Sequence, residues 1–457
     1  MIVKLMSLKT GVSGIRGHFP RSLTPEVCLE FSLAFGTYLA SLYPEKKKIR
    51  VVVGTDPRKS SELIRGIVFA GLLHTGAEVI DLGIAPTPTV GIRVNKLKAD
   101  GGIVITASHN PLPWNGLKFM RPDGVFLNES QGKKLLNIYR AKKFKEAKPC
   151  GIVIDRGAID EHLRKVLEIV DAQLIRREKI KVGVDCCNGA GSIAFINLLH
   201  KLGCEVSAIH CELTQPFPHP PEPIPENLKE LKKMVLDKKL DIGFALDSDA
   251  DRLAIVSEKG KAIGEELTLV LAAKFVLSRC HRLSSGKKLL VTNLSTTQAL
   301  EDVARAFGVQ VLRTKIGEVH VAEKLIKSKG LIGGEGNGGV IYPKVCYNRD
   351  SLTAAALVLN FMAASGRSVS SLVQEIPAYH MIKRKVECTD QKAAHSFILR
   401  VKNNFKGERL VLTEGVKALC SDGWVHVRAS NTEPIIRIFA ESRKKAAAQK
   451  LISRAAL

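Results

Sequence analysis

The sequence predicts an α/β protein of three tandem strand–helix units followed by a smaller α+β segment, and three observations carry that reading. Short β-branched runs alternate with amphipathic stretches of helical period, the pattern of parallel strands joined by crossover helices. The alternation restarts after Pro149-Cys150-Gly151 and again past the acidic run at Asp247 to Arg252. From about Ser368 the composition turns toward strand, with one helix. These shifts divide the 457 residues into expected domains at 1–150, 151–256, 257–367 and 368–457, more than one ordinary core can organise.

Hydrophobic content of 45% and charged content of 25% are those of a globular protein. No apolar stretch approaches a membrane span, and the opening Met1 to Met6 is too short for a signal peptide, so a cytoplasmic chain with no membrane partner is expected. The ten cysteines include no C-x-x-C pair, which indicates neither a zinc site nor a disulfide framework and leaves reduced, mostly buried thiols. The net charge of +24 raises the question of nucleic acid. The basic clusters are short and spread over the whole length, and aromatics are only 5%, too few for stacking platforms; no nucleic-acid partner is expected.

In the first unit, Gly11 to Gly17 forms a glycine-punctuated loop ending in Arg16, where small neighbours let the backbone approach a ligand. Thr24-Pro25-Glu26 then reads as an N-cap, a proline in the first turn and an acid, opening a helix to about Leu42. Strand Ile49 to Val53, a turn at Gly54 to Arg58, a helix from Ser61 to His74 and strand Val79 to Leu82 follow. The run Gly102 to Ile105 is a buried strand opening into Thr106-Ala107-Ser108-His109-Asn110-Pro111, an exposed turn at the sheet edge where α/β proteins meet ligands. Ser108 needs a base or counter-charge to act as a nucleophile, and His109 and Lys118 are the local candidates.

The second unit carries a helix from about Asp155 to Arg176, strand Ile180 to Asp185, a tight glycine turn at Gly189 to Gly191 and an extended loop from Pro216 to Pro225. Its strand Asp241 to Leu246 runs into Asp247-Ser248-Asp249-Ala250-Asp251-Arg252. Three alternating carboxylates repel one another unless a cation holds them, and hard oxygens at this density suit Mg²⁺. An EF-hand is excluded because Arg252 stands where glycine is needed and a strand precedes the loop. An aspartyl nucleophile at Asp247 remains an alternative.

The third unit repeats the pattern with helices at about Glu265 to Cys280 and Thr296 to Phe307 and strands Lys288 to Thr292 and Val309 to Leu312. Lys315 lies in the following loop, and Gly333 to Gly339 follows strand Leu331-Ile332, its glycines open to a flat polar ligand and its Glu335 and Asn337 set to bond hydroxyls. In the last segment, alternation through Trp424 to Ser430 places His426, Arg428 and Ser430 on one face and the valines on the other. With Asn431, Thr432 and Arg437 they supply what a phosphate dianion requires.

Taken together, Thr106 to Pro111, Asp247 to Arg252, Gly334 to Gly339 and Arg428 to Pro434 resemble, in order, the serine, metal, sugar and phosphate motifs of the α-D-phosphohexomutase superfamily. Its members include phosphoglucosamine mutases, phosphomannomutases and phosphoglucomutases. The resemblance implies three α/β domains with mixed sheets and a fourth, lid-like α+β domain around a central cleft. It also implies a phosphoserine at Ser108, one Mg²⁺ on Asp247, Asp249, Asp251 and a phosphoserine oxygen, and acid/base help from Arg16 and Lys118. Arg252, Lys315, Glu335, Asn337, Arg428, Ser430, Asn431, Thr432 and Arg437 would bind a phosphosugar. The expected reaction interconverts a hexose or hexosamine 6-phosphate and 1-phosphate through a sugar 1,6-bisphosphate, which also acts as activator, in a monomer or homodimer. Ser248 and Ala250 stand where many members carry glycine, and the sugar motif looks like the archaeal phosphoglucosamine and phosphomannose variant.

Overall fold

Strand Gly101–Ile105 lies at the middle of a seven-stranded mixed sheet, between the parallel strand Ile49–Thr55 and the antiparallel strand Trp114–Met120. The computed structural model describes residues 8–12, 14–280, 288–430 and 435–456. They group into two units, Met1–Thr268 with Asn337–Ser371 and Leu269–Gly336 with Leu372–Leu457.

In the first unit the seven-stranded sheet continues through Gly14–His18 and Lys9–Thr10 on one side and Ala77–Ile84 and Ile152–Ile154 on the other. Helices Pro25–Leu42 and Ser61–His74 pack on each other over a core of Phe31, Phe35, Leu39, Val51, Val53, Leu72, Ile103, Ile105 and Phe119. The cap expected at Thr24 is formed, its hydroxyl accepting from Val27 N at 3.3 Å. A second, four-stranded mixed sheet runs Leu253–Ser257, Ile242–Leu246, Lys181–Asp185, Glu205–Ile209, the first pair antiparallel and the rest parallel. Helix Ser351–Ser365, buried along nearly its whole length, packs on Ala158–Leu167, Ala172–Glu178 and Gly191–Lys201.

The second unit contains parallel strands Gln310–Thr314, Leu289–Asn293 and Ile332–Glu335. It also holds an antiparallel sheet ordered His380–Glu387, Ile435–Ser442, Gly423–Ala429, Val416–Cys420, Arg409–Val411. Helices Gln391–Asn404 and Lys445–Ala456 cover that sheet over Val416, Val425, Val427, Ile436 and Ile438.

The α/β and α+β reading therefore holds, with local corrections. The single helix expected from Asp155 to Arg176 is two, because Asp171 caps a new start at Ala172 with its carboxylate on Leu174 N. Strand Trp114–Met120 and helices Thr87–Lys96 and Glu129–Ala141 went unread. The thiols are all free, but only Cys28, Cys186, Cys187 and Cys204 are buried; burial in the rest is partial and Cys150 is exposed. Among the described residues no helix is long and apolar enough to cross a membrane.

Candidate active site

Parallel pairing ends Ile49–Thr55 and Gly101–Ile105 side by side, so Asp56 and Thr106 emerge together, with Asp56 N donating to Ile105 O at 3.0 Å. Thr106 Oγ1 donates to Asp56 Oδ2 at 2.7 Å and accepts from Ser108 N at 2.8 Å, which tightens the turn and sets Ser108 at φ +50°. The turn is buried, not exposed: Ser108 is 3% accessible. Its Oγ donates to Asp247 Oδ2 at 3.0 Å, and His109 Nδ1 lies 3.5 Å away. Burial, with Arg252 and Arg16 nearby, holds His109 well below the usual imidazole range, so its ring is neutral.

The acidic loop follows strand Ile242–Leu246, and all three of its carboxylates are fully buried. Asp247 Oδ1 accepts from Asp251 N and Arg252 N at 3.0 and 3.1 Å. Lys118 Nζ lies 2.6 Å from Asp249 Oδ2 and 3.5 Å from Asp251 Oδ2, and Thr87 Oγ1 donates to Asp249 Oδ2 at 2.6 Å. Arg349 Nη2 lies 2.6 Å from Asp251 Oδ2. Burial pushes the Asp247 carboxyl up, and its two aspartate neighbours add to that. Burial also acts to raise Asp251, but Arg349, Lys118 and Arg252 outweigh it and keep that carboxylate ionised.

One ligand oxygen from each aspartate lies within 4.8 Å of the others, and Asp249 Oδ1 and Asp251 Oδ1 are buried without a hydrogen-bond partner. Buried oxygens left in that state are costly, and a hard oxygen-seeking cation would satisfy them. The residues present fit Mg²⁺. Arg16, on strand Gly14–His18, donates to Asn110 Oδ1 at 2.9 Å in the turn that carries Ser108. Burial, and then Arg252, lowers its guanidinium.

With Thr87, Arg349 and Glu414, Arg58 is one of the residues that sequence reasoning missed. Its fully buried guanidinium pairs Asp56 Oδ2 at 2.9 Å and donates to the carbonyls of Ser108, Asn110 and Trp114 at 2.6, 2.7 and 2.8 Å. Ser248 joins the two loops, its hydroxyl lying 2.8 Å from Ser108 O and 3.1 Å from Asp56 Oδ2. Ala250 sits at φ +55°, a conformation that glycine adopts at less cost. Arg58→Ala leaves Asp56 buried without its counter-ion, so the protein is expected to lose about 3–5 kcal/mol of stability. Denaturant unfolding of the variant measures it, and a loss below about 1 kcal/mol contradicts the clamp role.

A second group of predicted residues gathers in the other unit. Arg428 and Arg437 stand opposite each other in the antiparallel register, and Arg428 is 8% accessible. Like charges so placed are unfavourable without an anion between them. Burial lowers the Arg428 guanidinium, Glu414 counters from 3.4 Å, and Nε is buried with no hydrogen-bond partner. Glu414 also accepts from Ile316 N at 2.6 Å, tying the exposed Lys315 loop to Arg428. Glu335 is buried and accepts from Asn293 Nδ2 at 2.8 Å and Gly317 N at 3.0 Å.

The expected alternation holds: Val425 and Val427 enter the core, while His426 takes the Arg428 face. Burial pushes His426 down to about 3, and the neutral ring joins Ser295 Oγ and Glu414 O at 2.8 Å each, which makes it a structural residue. Ser430 closes its turn by donating N–H to Ile435 O at 2.8 Å. Asn431 and Thr432 lie outside the described residues.

The glycines around Glu335 serve packing more than the sequence implied. Gly333 and Gly334 lie within a strand, where a Cβ on Gly333 would stand 2.3 Å from Val291 O. On Gly338 it would meet Leu253 O at 2.5 Å, and on Gly339 Arg349 Cδ at 2.2 Å. Asn337 Oδ1 accepts from Gly339 N at 3.2 Å, bracing that turn.

A serine hydroxyl aimed at a buried carboxylate triad, beside lysine and arginine, is equipment for phosphoryl transfer. Residues 7–146, 160–260, 264–379 and 381–457 match, in chain order, the α/β/α domains I, II and III and the C-terminal domain of phosphoglucomutase/phosphomannomutase, and the chain belongs to that family. It is accordingly an isomerase-class phosphotransferase. It is 38% identical over 446 residues to the Thermococcus kodakarensis phosphoglucomutase/phosphomannomutase, covering 97% of this chain and 96% of the other. Identity to the Sulfurisphaera tokodaii phosphoglucosamine/phosphogalactosamine mutase is 32% over 450 residues and 97% of each chain. The crystal structure of a Burkholderia thailandensis phosphoglucomutase/phosphomannomutase family protein superposes with a TM-score of 0.84 at 25% identity, covering 97% and 96% of the two chains.

Proposed function

We propose that the protein interconverts a hexosamine 6-phosphate and the corresponding 1-phosphate in the cytoplasm, with phosphorylated Ser108 as donor and a 1,6-bisphosphate as intermediate and activator. The observation that carries this is the Ser108 Oγ to Asp247 Oδ2 contact of 3.0 Å, which places a hydroxyl beside three buried carboxylates. It also disfavours Asp247 as nucleophile, since Oδ1 is already held by two backbone N–H groups and Oδ2 by Ser108. A hexosamine is supported by the name of the Sulfurisphaera relative and by the buried Glu335 carboxylate, which suits an amino group. The Thermococcus relative's name supports mannose or glucose phosphate as the second reading.

Asp247, Asp249, Asp251 and an oxygen of the phosphorylated serine would hold one Mg²⁺, which when bound supplies positive charge against the phosphoryl oxygens. Lys118 and Arg16 add fixed cations on the same side, and Arg252 completes them. As the phosphoryl group moves, its bond to Ser108 Oγ breaks, a bond to the sugar hydroxyl oxygen forms, and the hydroxyl proton leaves. The neutral His109 ring is suited to move that proton at Ser108 Oγ. Arg428, Ser430 and Arg437, with Asn431 and Thr432, hold the phosphate that is not reacting, while Glu335, Asn337 and Lys315 contact the sugar. Reorientation of the bisphosphate returns its other phosphate to Ser108. Turnover of glucosamine, mannose and glucose phosphates, primed with a catalytic amount of bisphosphate, tests the reading; turnover of none of the three overturns it.

Asp249→Asn removes a charged oxygen ligand and unbalances Lys118. Mg²⁺ affinity and turnover are each expected to fall by roughly tenfold or more. Turnover measured across an Mg²⁺ titration decides it, and an unchanged half-saturation point excludes Asp249 as a ligand.

A further inference from the structure

Past the carboxyl ends of the parallel strands Lys181–Asp185 and Glu205–Ile209, two histidines converge on one carboxylate. His210 Nδ1 lies 3.1 Å from Asp185 Oδ1 and His219 Nε2 lies 3.0 Å from Asp185 Oδ2. One ligand atom from each of the three residues lies within 4.8 Å of the others, and Asp185 is 1% accessible. None of the three belongs to the site described above.

The outer ring nitrogens fix what the inner ones present. His219 Nδ1 is 2.9 Å from the Pro220 carbonyl, which only accepts, so Nδ1 carries a hydrogen; Nε2, hydrogen-bonded to Asp185 Oδ2, is the nitrogen whose proton a metal ion would displace. His210 Nε2 faces Glu230 Oε2 at 3.4 Å, which leaves Nδ1 as the nitrogen turned to Asp185. That Nδ1 is buried and makes no well-directed hydrogen bond. Asp185 is itself aimed by Cys187 N–H, which donates to Oδ1 at 2.9 Å. Imidazoles held by acceptors on their outer nitrogens, with inner nitrogens converging on an oriented carboxylate, have the arrangement of metal-ligating histidines once an ion replaces the protons between them.

We propose that Asp185, His210 and His219 form a second metal site, which takes a divalent transition ion of the zinc type. Two imidazole nitrogens and one carboxylate oxygen suit such an ion, in contrast to the oxygen-only triad, which suits Mg²⁺. Its place in the fold gives the ion a task. His219 lies on the proline-rich segment Pro216 to Pro225, the segment that carries Phe217 to 4.9 Å from the Arg58 guanidinium and Glu222 to 3.6 Å from Arg252. An ion on His219 and Asp185 fastens that segment to the sheet end and so steadies the surroundings of both arginines.

Protein stripped with chelator and returned to excess Mg²⁺, which fills the oxygen-only triad, is titrated with Co²⁺. One equivalent is expected to bind with the visible absorption of nitrogen-ligated cobalt, and Zn²⁺ should displace it. His210→Gln and His219→Gln should each lose that absorption and weaken Co²⁺ binding on the order of 100-fold or more, whereas Asp249→Asn should keep it. Wild-type protein without the visible bands overturns the proposal, whatever the variants do. So does a spectrum that survives in both histidine variants or disappears in Asp249→Asn.

Discussion

Ser108→Ala is expected to abolish mutase activity, a loss of roughly 10⁴-fold or more, because it removes the atom proposed to carry the phosphoryl group. The fold tolerates the change. Alanine accepts the φ +50° backbone about as well as serine does, Thr106 and Arg58 hold the turn through backbone atoms, and Asp247 keeps both backbone donors. Intact mass should show a phosphoryl adduct on wild type that the variant lacks, with unfolding midpoints close together. Turnover in Ser108→Ala within tenfold of wild type would sink the covalent mechanism, and an unfolded variant would contradict the backbone-held turn.

The second large effect is expected at Arg428→Lys. The guanidinium is buried opposite Arg437, braced by Glu414, with Nε left for an incoming anion. Lysine keeps the charge but has one donor centre in place of a planar fork. Since this side chain is assigned to whichever phosphate is not reacting, its loss should reduce kcat/KM by roughly 10²-fold and lower kcat as well, because remote binding energy orients the reacting hydroxyl. The forward and reverse reactions should suffer alike. A defect confined to KM in one direction, with kcat intact, would remove Arg428 from the role of shared phosphate anchor.

What the sequence made legible, and what it did not, follows from how locally each residue acts. Ser108 and the three aspartates are contiguous motifs at strand ends, where an apolar run followed by small polar or acidic residues is itself the signal. Arg58, Thr87, Arg349 and Glu414 are single polar residues whose partners are distant along the chain, so no local pattern marks them. Helix Glu129–Ala141 did carry a signal, the capping box of Asn128 and Gln131. Strand Trp114–Met120 was masked by its Asn115-Gly116 pair, which reads as a turn, although Gly116 is there because a Cβ would stand 2.4 Å from Ile15 O. The same confusion of packing with ligand access affected the glycines around Glu335.

The contact between Ser108 and Asp247 joins residues 139 positions apart in the chain. Ribosomes add roughly 5–20 residues per second, so about 7–28 s separate the synthesis of those two side chains, and the first sheet is complete well before its counterpart exists. Arg349 lies a further 98 positions beyond Asp251. During translation, then, the serine is made before any of its carboxylate partners. The nascent polypeptide therefore gathers these side chains in stages, the serine first, the aspartates next and Arg349 last.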